Sequence, residues 1–336
     1  MFATGALLFA QNDTRPVAVV RLMGTETITV SQFKTVVENN QRALGQVLTK
    51  DQQRQLLDSM IDEKLLLQGA IRDRVVLSDA ELNQQVQELR NQMASQVGRQ
   101  PTEDEFASAI RSQTGLELAV FREQLRQQLL MQKYVLTKKD ALLKTIQQPT
   151  EQDIINAYNI NKSQFIRPDT VRFSMIEVPF STAAQKTQAK TVADRLVREI
   201  ASNASKFDEA VIKGQTVGAG YNAGDAGYIP RTPQAQQLFG LDLMNTAFSL
   251  RQGEVSKLIE GNTGFYIIKI TETYAMKALT LDDIAQLGSR VTVRQYISSG
   301  ILQERQQALL NRAVQELTVE LRAGNPFQVY DSNLTW

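Results

Sequence analysis

The spacing of apolar residues changes character along this chain. From Pro16 to Val30 (PVAVVRLMGTETITV) two β-branched runs flank Met23, Gly24 and Thr25, which predicts a short hairpin. Helical spacing follows. Thr49-x-x-Gln52 has the form of a capping box and leads into Leu56, Leu57, Met60, Ile61 and Leu65. Ser78-x-x-Glu81 opens a second helix with Leu82, Val86, Leu89 and Met93 on one face. Thr102-x-x-Glu105 opens a third with Phe106 and Ile110. After Gly115 a long amphipathic helix carries Leu118, Phe121, Leu125 and Leu129, with Gln, Arg and Glu on its other face. Glutamine is a good helix former, and these glutamines read as solvated surface.

Pro149 marks a boundary, and Thr150-x-x-Asp153 starts a short helix through Tyr158. Beyond Phe165-Ile-Arg-Pro168 the pattern becomes mixed. Val171–Val178 reads as a strand, Ala183–Ser202 as a helix and Gly214–Gly227 as a glycine-rich loop. A short helix around Leu243–Leu250, a turn at Arg251–Glu254 and a buried strand at Gly264–Ile270 complete a small α+β pattern. From Thr280 to Ala323 the chain is helical again. Ile297, Ile301, Leu310, Val314, Leu317 and Leu321 form a stripe that needs a partner surface. The N-terminal helices are the obvious partner, so the chain is expected to return to its starting domain.

Composition narrows the chemistry. The 336 residues include no cysteine and no histidine, and the net charge is +1. Disulfides, thiolate nucleophiles, Ser-His-Asp triads, imidazole metal ligands and histidine pH switches are therefore excluded. Any metal would need an all-oxygen site, and no metal or cofactor is expected. The balanced charge gives no long-range field for nucleic acid. Gly218-x-Gly220-x-x-x-Gly224 has the wrong spacing for a dinucleotide loop and no Gly-Lys-Ser/Thr follows, so no nucleotide is expected. Asp153, Asp282 and Asp283 read as acids at helix starts, and Lys138-Lys139-Asp140 as a solvated helix end. Met1–Ala10 (MFATGALLFA) is too short to span a membrane but has the length of an export-signal core, so residues 1–15 are read as a signal-peptide remnant.

Several stretches resemble the SurA/PrsA/PpiD-like secreted chaperones that carry a parvulin-type peptidyl-prolyl isomerase domain. Leu57–Gln68 (LDSMIDEKLLLQ) resembles that family's "LIDEKLLLQ" helix, and Gly115–Tyr134 its next long helix. Lys206–Ala210 resembles "DFxxLA", and Gly224–Tyr228 resembles "GGDLGxF". Ala247–Ser256 followed by Gly264–Lys269 resembles "AFxLxxGEVSxxxxTxxGYHIIK". The resemblance spans about residues 16 to 325. It implies a multidomain α plus α+β protein, in which a helical chaperone module receives an inserted parvulin-like domain. The boundaries read as 16–165 for the N-terminal helical domain, 166–274 for the parvulin-like domain, and 275–336 for a C-terminal helical segment packing on the N-terminal domain.

The departures from the family bear on mechanism. Where active parvulins read "SHILV", Ser174-Met-Ile-Glu-Val178 places Met175 at the histidine. At the second histidine stands Tyr266, and counting without gaps puts Val217 at the family's Cys or Asp. The resemblance therefore implies lost catalysis, with the degenerate positions Met175, Val217 and Tyr266 and a retained apolar wall of Phe239, Leu243, Phe248, Met175 and Tyr266. The function it implies is an ATP-independent periplasmic or cell-envelope chaperone of bacteria. Its partners would be unfolded outer-membrane or secreted polypeptides, held in an apolar cleft between the helical module and the parvulin-like domain. Transient membrane proximity and oligomerisation are compatible with this. The alternatives are a weakly active isomerase using Tyr266, and a non-catalytic scaffold.

Overall fold

The computed structural model describes residues 13–202, 205–216 and 218–334; the apolar end Met1–Ala10 and Val217 lie outside them. By contacts the chain forms two compact units, residues 1–147 with 304–336, and residues 148–303.

The first unit opens with a hairpin, β1 (Pro16–Val20) and β2 (Glu26–Thr29). Five helices of ten or more residues follow, α1 (Val30–Leu44), α2 (Lys50–Arg72), α3 (Asp79–Val97), α4 (Glu103–Thr114) and α5 (Leu118–Lys138), with a single turn α6 (Asp140–Leu143). The three capping boxes read from sequence all form: the Thr49, Ser78 and Thr102 side chains accept from the backbone N–H three residues on, and Gln52, Glu81 and Glu105 return the bond. Each satisfies two backbone donors that the helix leaves unpaired.

Gln68 departs from the solvated-glutamine reading. It is buried in α2, its Oε1 accepts from the backbone N–H of Leu22 and Met23 at 2.9 Å, and its Nε2 donates to Glu26 at 3.1 Å. One side chain thus ties the hairpin turn to α2.

The second unit begins with α7 (Glu151–Ile160) and a short strand β3 (Ile166–Arg167). Then follow β4 (Thr170–Pro179), α8 (Ala183–Ser202), α9 (Ser205–Gly214), β5 (Asn222–Pro230), α10 (Pro233–Phe239), α11 (Leu241–Ser249), β6 (Ile259–Glu260), β7 (Gly264–Tyr274) and β8 (Lys277–Ala278). The main sheet is antiparallel in the order β5-β4-β7-β6, and β3 pairs with β8. Residue alternation divides the sheet into two faces. Ile176, Val178, Phe265 and Ile267 pack with α8 and α9, while Phe173, Ile268 and Ile270 pack with α10 and α11.

The glycine-rich stretch is a correction. Its second half is the strand β5, which pairs along β4 from Glu177↔Asn222 to Thr170↔Pro230. Asn-Ala-Gly-Asp-Ala-Gly carries no apolar alternation, so only the backbone ladder to β4 reveals it.

The last long helix, α12 (Val293–Arg322), begins in the second unit and ends in the first, and a strand β9 (Phe327–Val329) pairs with β1 in the order β2-β1-β9. Val293 and Ile297 share a core with Ile154 of α7 and Leu279, whereas Ala313, Leu317 and Leu321 join Val17, Phe33, Leu57, Ile61 and Tyr134. That first cluster is why residues 148–165 and 275–303, assigned by sequence to the helical module and the C-terminal segment, sit in the second unit. Lys139 also departs from its solvated reading: it is only 11% exposed and ion-pairs with Glu320 at 2.7 Å and Glu316 at 3.4 Å.

Candidate functional site

The α10/α11 face of the sheet collects most of the residues singled out from the sequence. Met175 lies on β4, opposite Gly224 of β5 and Ile268 of β7. Tyr266 lies on β7, opposite Glu177 of β4 and Ile259 of β6. Met175 and Tyr266 are thus diagonal neighbours on one face, within reach of long side chains. Phe239 ends α10, and Leu243 and Phe248 lie on α11; all three pack on the same core.

The members differ in what they offer to a ligand. Leu243 is 3% exposed and belongs to the core itself. Met175, Phe239, Phe248 and Tyr266 are half-buried. Phe239 meets Phe173 edge to face at 6.0 Å, and the Arg231 guanidinium lies 5.1 Å over the Phe248 ring. At Gly224, the cross-strand neighbour of Met175, a Cβ would meet nothing within 4 Å. The flank of Met175 is therefore open, and the face forms an apolar shelf rather than a closed core.

Polar groups of this sheet are engaged within the protein. The Tyr266 hydroxyl lies 3.2 Å from Thr263 Oγ1 and donates to Glu177 Oε1 at 3.4 Å. Asp225, the acid of the "GD" match, is bound by Arg172 through Nε at 3.0 Å, and that cation holds its carboxyl below the usual range. Arg172 also donates to Glu272 at 2.9 Å, and the Tyr274 hydroxyl is pushed up to about 12 by its bond to Glu272. This network ties β4, β5 and β7 together. Among the described residues no group of three or more acids is placed to hold a metal.

Sequence reasoning missed a second apolar feature, in the first unit. Leu82, Val86, Phe106 and Ile110 form a small core under α3, α4 and α5. Between α3 and α5 a groove of about 370 Å³ is lined by Leu89, Phe121, Leu125 and Leu129, with Gln85, Gln124, Gln128 and Gln132 along it. The signal was present as glutamines at four-residue intervals beside the leucines of α5, but sequence does not separate a groove rim from plain solvated surface.

Two family models match the chain, one in each unit. Residues 149–286 match the family described as PPIC-type PPIASE domain, and residues 1–135 that described as SurA-like N-terminal domain. The foldase protein PrsA of Clostridium botulinum (Type F strain Langeland) is 25% identical over 309 residues, 91% of this chain and 82% of that protein. The chaperone SurA of Saccharophagus degradans is 26% identical over 279 residues, 80% of this chain and 61% of that protein. Among solved structures, one of two SurA-like chaperones of Campylobacter jejuni is similar with a TM-score of 0.39 at 14% identity, covering 94% of this chain and all of that one. PrsA from Bacillus subtilis gives a TM-score of 0.27 at 21% identity, covering 90% of this chain and 89% of that one.

Proposed function

We infer that this chain, which carries a SurA-like N-terminal domain and a PPIC-type peptidyl-prolyl isomerase domain, is an ATP-independent extracytoplasmic chaperone whose isomerase domain binds polypeptide without catalysing prolyl isomerisation. The observation that carries the reading is the side-chain chemistry at the site. The whole chain contains neither histidine nor cysteine, and the motif resemblance assigns the places of the two histidines to Met175 and Tyr266.

The uncatalysed barrier of a prolyl amide is about 18–20 kcal/mol. Lowering it requires contacts that are stronger in the twisted amide than in the planar one. The thioether of Met175 donates no hydrogen bond, and the Tyr266 hydroxyl is engaged by Thr263 and Glu177. What remains is apolar area: the shelf in the second unit and the groove between α3 and α5 in the first. Burial of client side chains yields about 25 cal/mol per Å², less the ordering of the client, which favours weak and rapidly exchanging contacts. Unfolded outer-membrane or secreted proteins fit as clients, by analogy with the relatives, and the bacterial periplasm or cell envelope fits as location. No helix among the described residues is long and apolar enough to cross a membrane.

Two measurements test this. In a tetrapeptide isomerase assay the full chain should not exceed the uncatalysed rate. Turnover that disappears in Tyr266→Phe would establish the enzymatic alternative instead. A stoichiometric amount of the chain, without nucleotide, should suppress light scattering by an aggregating unfolded protein, and failure to do so would remove the chaperone assignment.

A further inference from the structure

Asp331-Ser-Asn333-Leu-Thr335, which follows β9, has the asparagine-x-hydroxyl spacing of an N-glycosylation acceptor, and Leu334 satisfies the rule that the middle residue is not proline. The bacterial form of this transfer also needs an acid two residues before the asparagine, where a cation of the transferase can pair with it. Asp331 stands at that place. Asn12, Asn161 and Asn203 also begin Asn-x-Ser/Thr triplets, but Ala10, Asn159 and Ala201 precede them by two residues. The full five-residue pattern therefore occurs at Asn333 alone.

The structure puts this pattern on a light surface strap. Asp331–Asn333 form a single 3-10 turn, in which Asp331 and Ser332 are exposed. The strand before it, β9, is three residues long, lies at the edge of its sheet, and buries Phe327 and Val329 only in part. Two contacts clip the turn to the unit: Asp331 pairs with Arg54 of α2, and Asn333 Nδ2 donates to the Pro16 carbonyl at 2.8 Å. Arg54 and Asp331 are both largely solvated, with side chains 43% and 73% exposed, so this ion pair holds the turn weakly. A short edge strand with few buried apolar contacts belongs to the part of a fold that opens locally. Opening would free the acid and the acceptor amide together.

We propose that Asn333 is an acceptor of N-linked oligosaccharide, transferred from a polyprenyl-diphosphate carrier by an oligosaccharyltransferase that reads Asp331, and that the transfer competes with seating of this turn on α2 and β1. In the transfer a bond forms between Asn333 Nδ2 and the first carbon of the sugar. The bond from that carbon to the carrier's diphosphate breaks, the carrier leaves as the free diphosphate, and Nδ2 gives up one proton. The product amide keeps one N–H, so the bond to the Pro16 carbonyl can form again around the modified side chain. The glycan then stands at the surface, beside exposed Asp331 and Ser332. The proposal rests on the extracytoplasmic location inferred above, because carrier-linked oligosaccharide is presented on that side of the membrane.

The test incubates the purified full chain with a purified bacterial oligosaccharyltransferase and its carrier-linked oligosaccharide, with a known acceptor protein as positive control, and follows intact mass. No export step is involved, so a negative result speaks to the site and not to location. The chain should gain the mass of one glycan, mapped to Asn333 by peptide fragmentation, and Asn333→Gln should gain none. Asp331→Asn should slow the transfer roughly tenfold or more, the worth of one charge-assisted contact. Arg54→Gln, which releases the acid from its partner, should raise the initial rate by about two- to fivefold, in line with a weak exposed pair. No added mass on the unaltered chain overturns the proposal, as does a glycan mapped to Asn12, Asn161 or Asn203 instead. Equal rates for Asp331→Asn and the unaltered chain overturn the role of the acid, and an unchanged or lower rate for Arg54→Gln overturns the competition with seating. If a variant does not fold, the mapped mass on the unaltered chain still decides. Aggregation suppression is measured on the same samples: if it persists where no glycan is gained, the chaperone reading stands and this site alone falls.

Discussion

Tyr266 and Glu177 face each other across β7 and β4, and the phenol donates to the carboxylate at 3.4 Å. The ring also occupies the space a Cβ at Gly261 would need, with Tyr266 Cε2 2.6 Å from that position. Tyr266 thus braces the β6–β7 turn. Tyr266→Phe is expected to leave peptide binding at the shelf unchanged and to lower stability by no more than about 1 kcal/mol, the usual net worth of one hydrogen bond. Chemical denaturation and peptide titration check both parts, and a large loss of binding would place the hydroxyl in contact with ligand.

A close helix approach in the first unit sets the second prediction. A Cβ on Gly69 of α2 would lie 2.9 Å from Tyr134 Cε1 of α5 and 3.0 Å from Leu321 Cδ2 of α12. All three elements meet there, so Gly69→Ala forces a ring and a helix apart. The expected cost is about 1–3 kcal/mol, despite alanine's better helix propensity, and urea denaturation measures it. A stabilised variant would show that the junction is loosely packed.

The return of α12 to the first core gives a third. Leu317 is 1% exposed among the side chains of that core, and Leu317→Ala should destabilise by about 2–5 kcal/mol. Lys139→Met, which keeps the stem but removes the ion pairs with Glu316 and Glu320, should cost only roughly 1 kcal/mol because both acids are partly solvated. Thermal unfolding of the two variants should rank them in that order.

The pH dependence of the helical unit follows from its caps. Lys133, with the Ser78 cap, holds the Glu81 carboxyl at about 2, and Arg99, with the Thr102 cap, holds Glu105 at about 2. Both lie below the ordinary glutamate value, so the folded state favours the ionised form. Their contribution is present above about pH 4.5 and is lost as pH falls toward 2. Helix content followed by circular dichroism from pH 6 to 2 should decline in that window, and Lys133→Met should move the decline upward. At the alkaline end, burial and the bond to Asp73 push the Tyr134 phenol up to about 12. The folded value is raised, so its contribution is complete below pH 10 and is lost as pH rises toward 12.

Local chemistry settled a large share of the architecture before any contact was known. Capping boxes at Thr49, Ser78 and Thr102 act within four residues, and apolar residues at helical spacing mark one face wherever the helix lies. The absence of histidine is likewise a fact of sequence, and Met175 and Tyr266 are the positions where the family resemblance expects the two histidines. The strand β5 was hidden because its sequence carries no alternation and only pairing with β4 defines it. Lys139 and Gln68 have ordinary surface residue types, and only the arrival of Glu316, Glu320 and the hairpin backbone gives them partners.

What the sequence determined by itself is therefore periodicity, caps and the absence of imidazole and thiol, because each is a property of one residue or one turn of chain. The tertiary structure decided which apolar side chains are core and which are surface. Leu243 and Phe239 sit four residues apart on neighbouring helices, yet one is sealed under the sheet and the other half open. It also decided that Arg167, one cation in a strand of two residues, would lie over the Tyr274 ring and donate to the Ala275 carbonyl. Burial and charge pairing depend on what distant segments bring to the same place, and no local pattern encodes that.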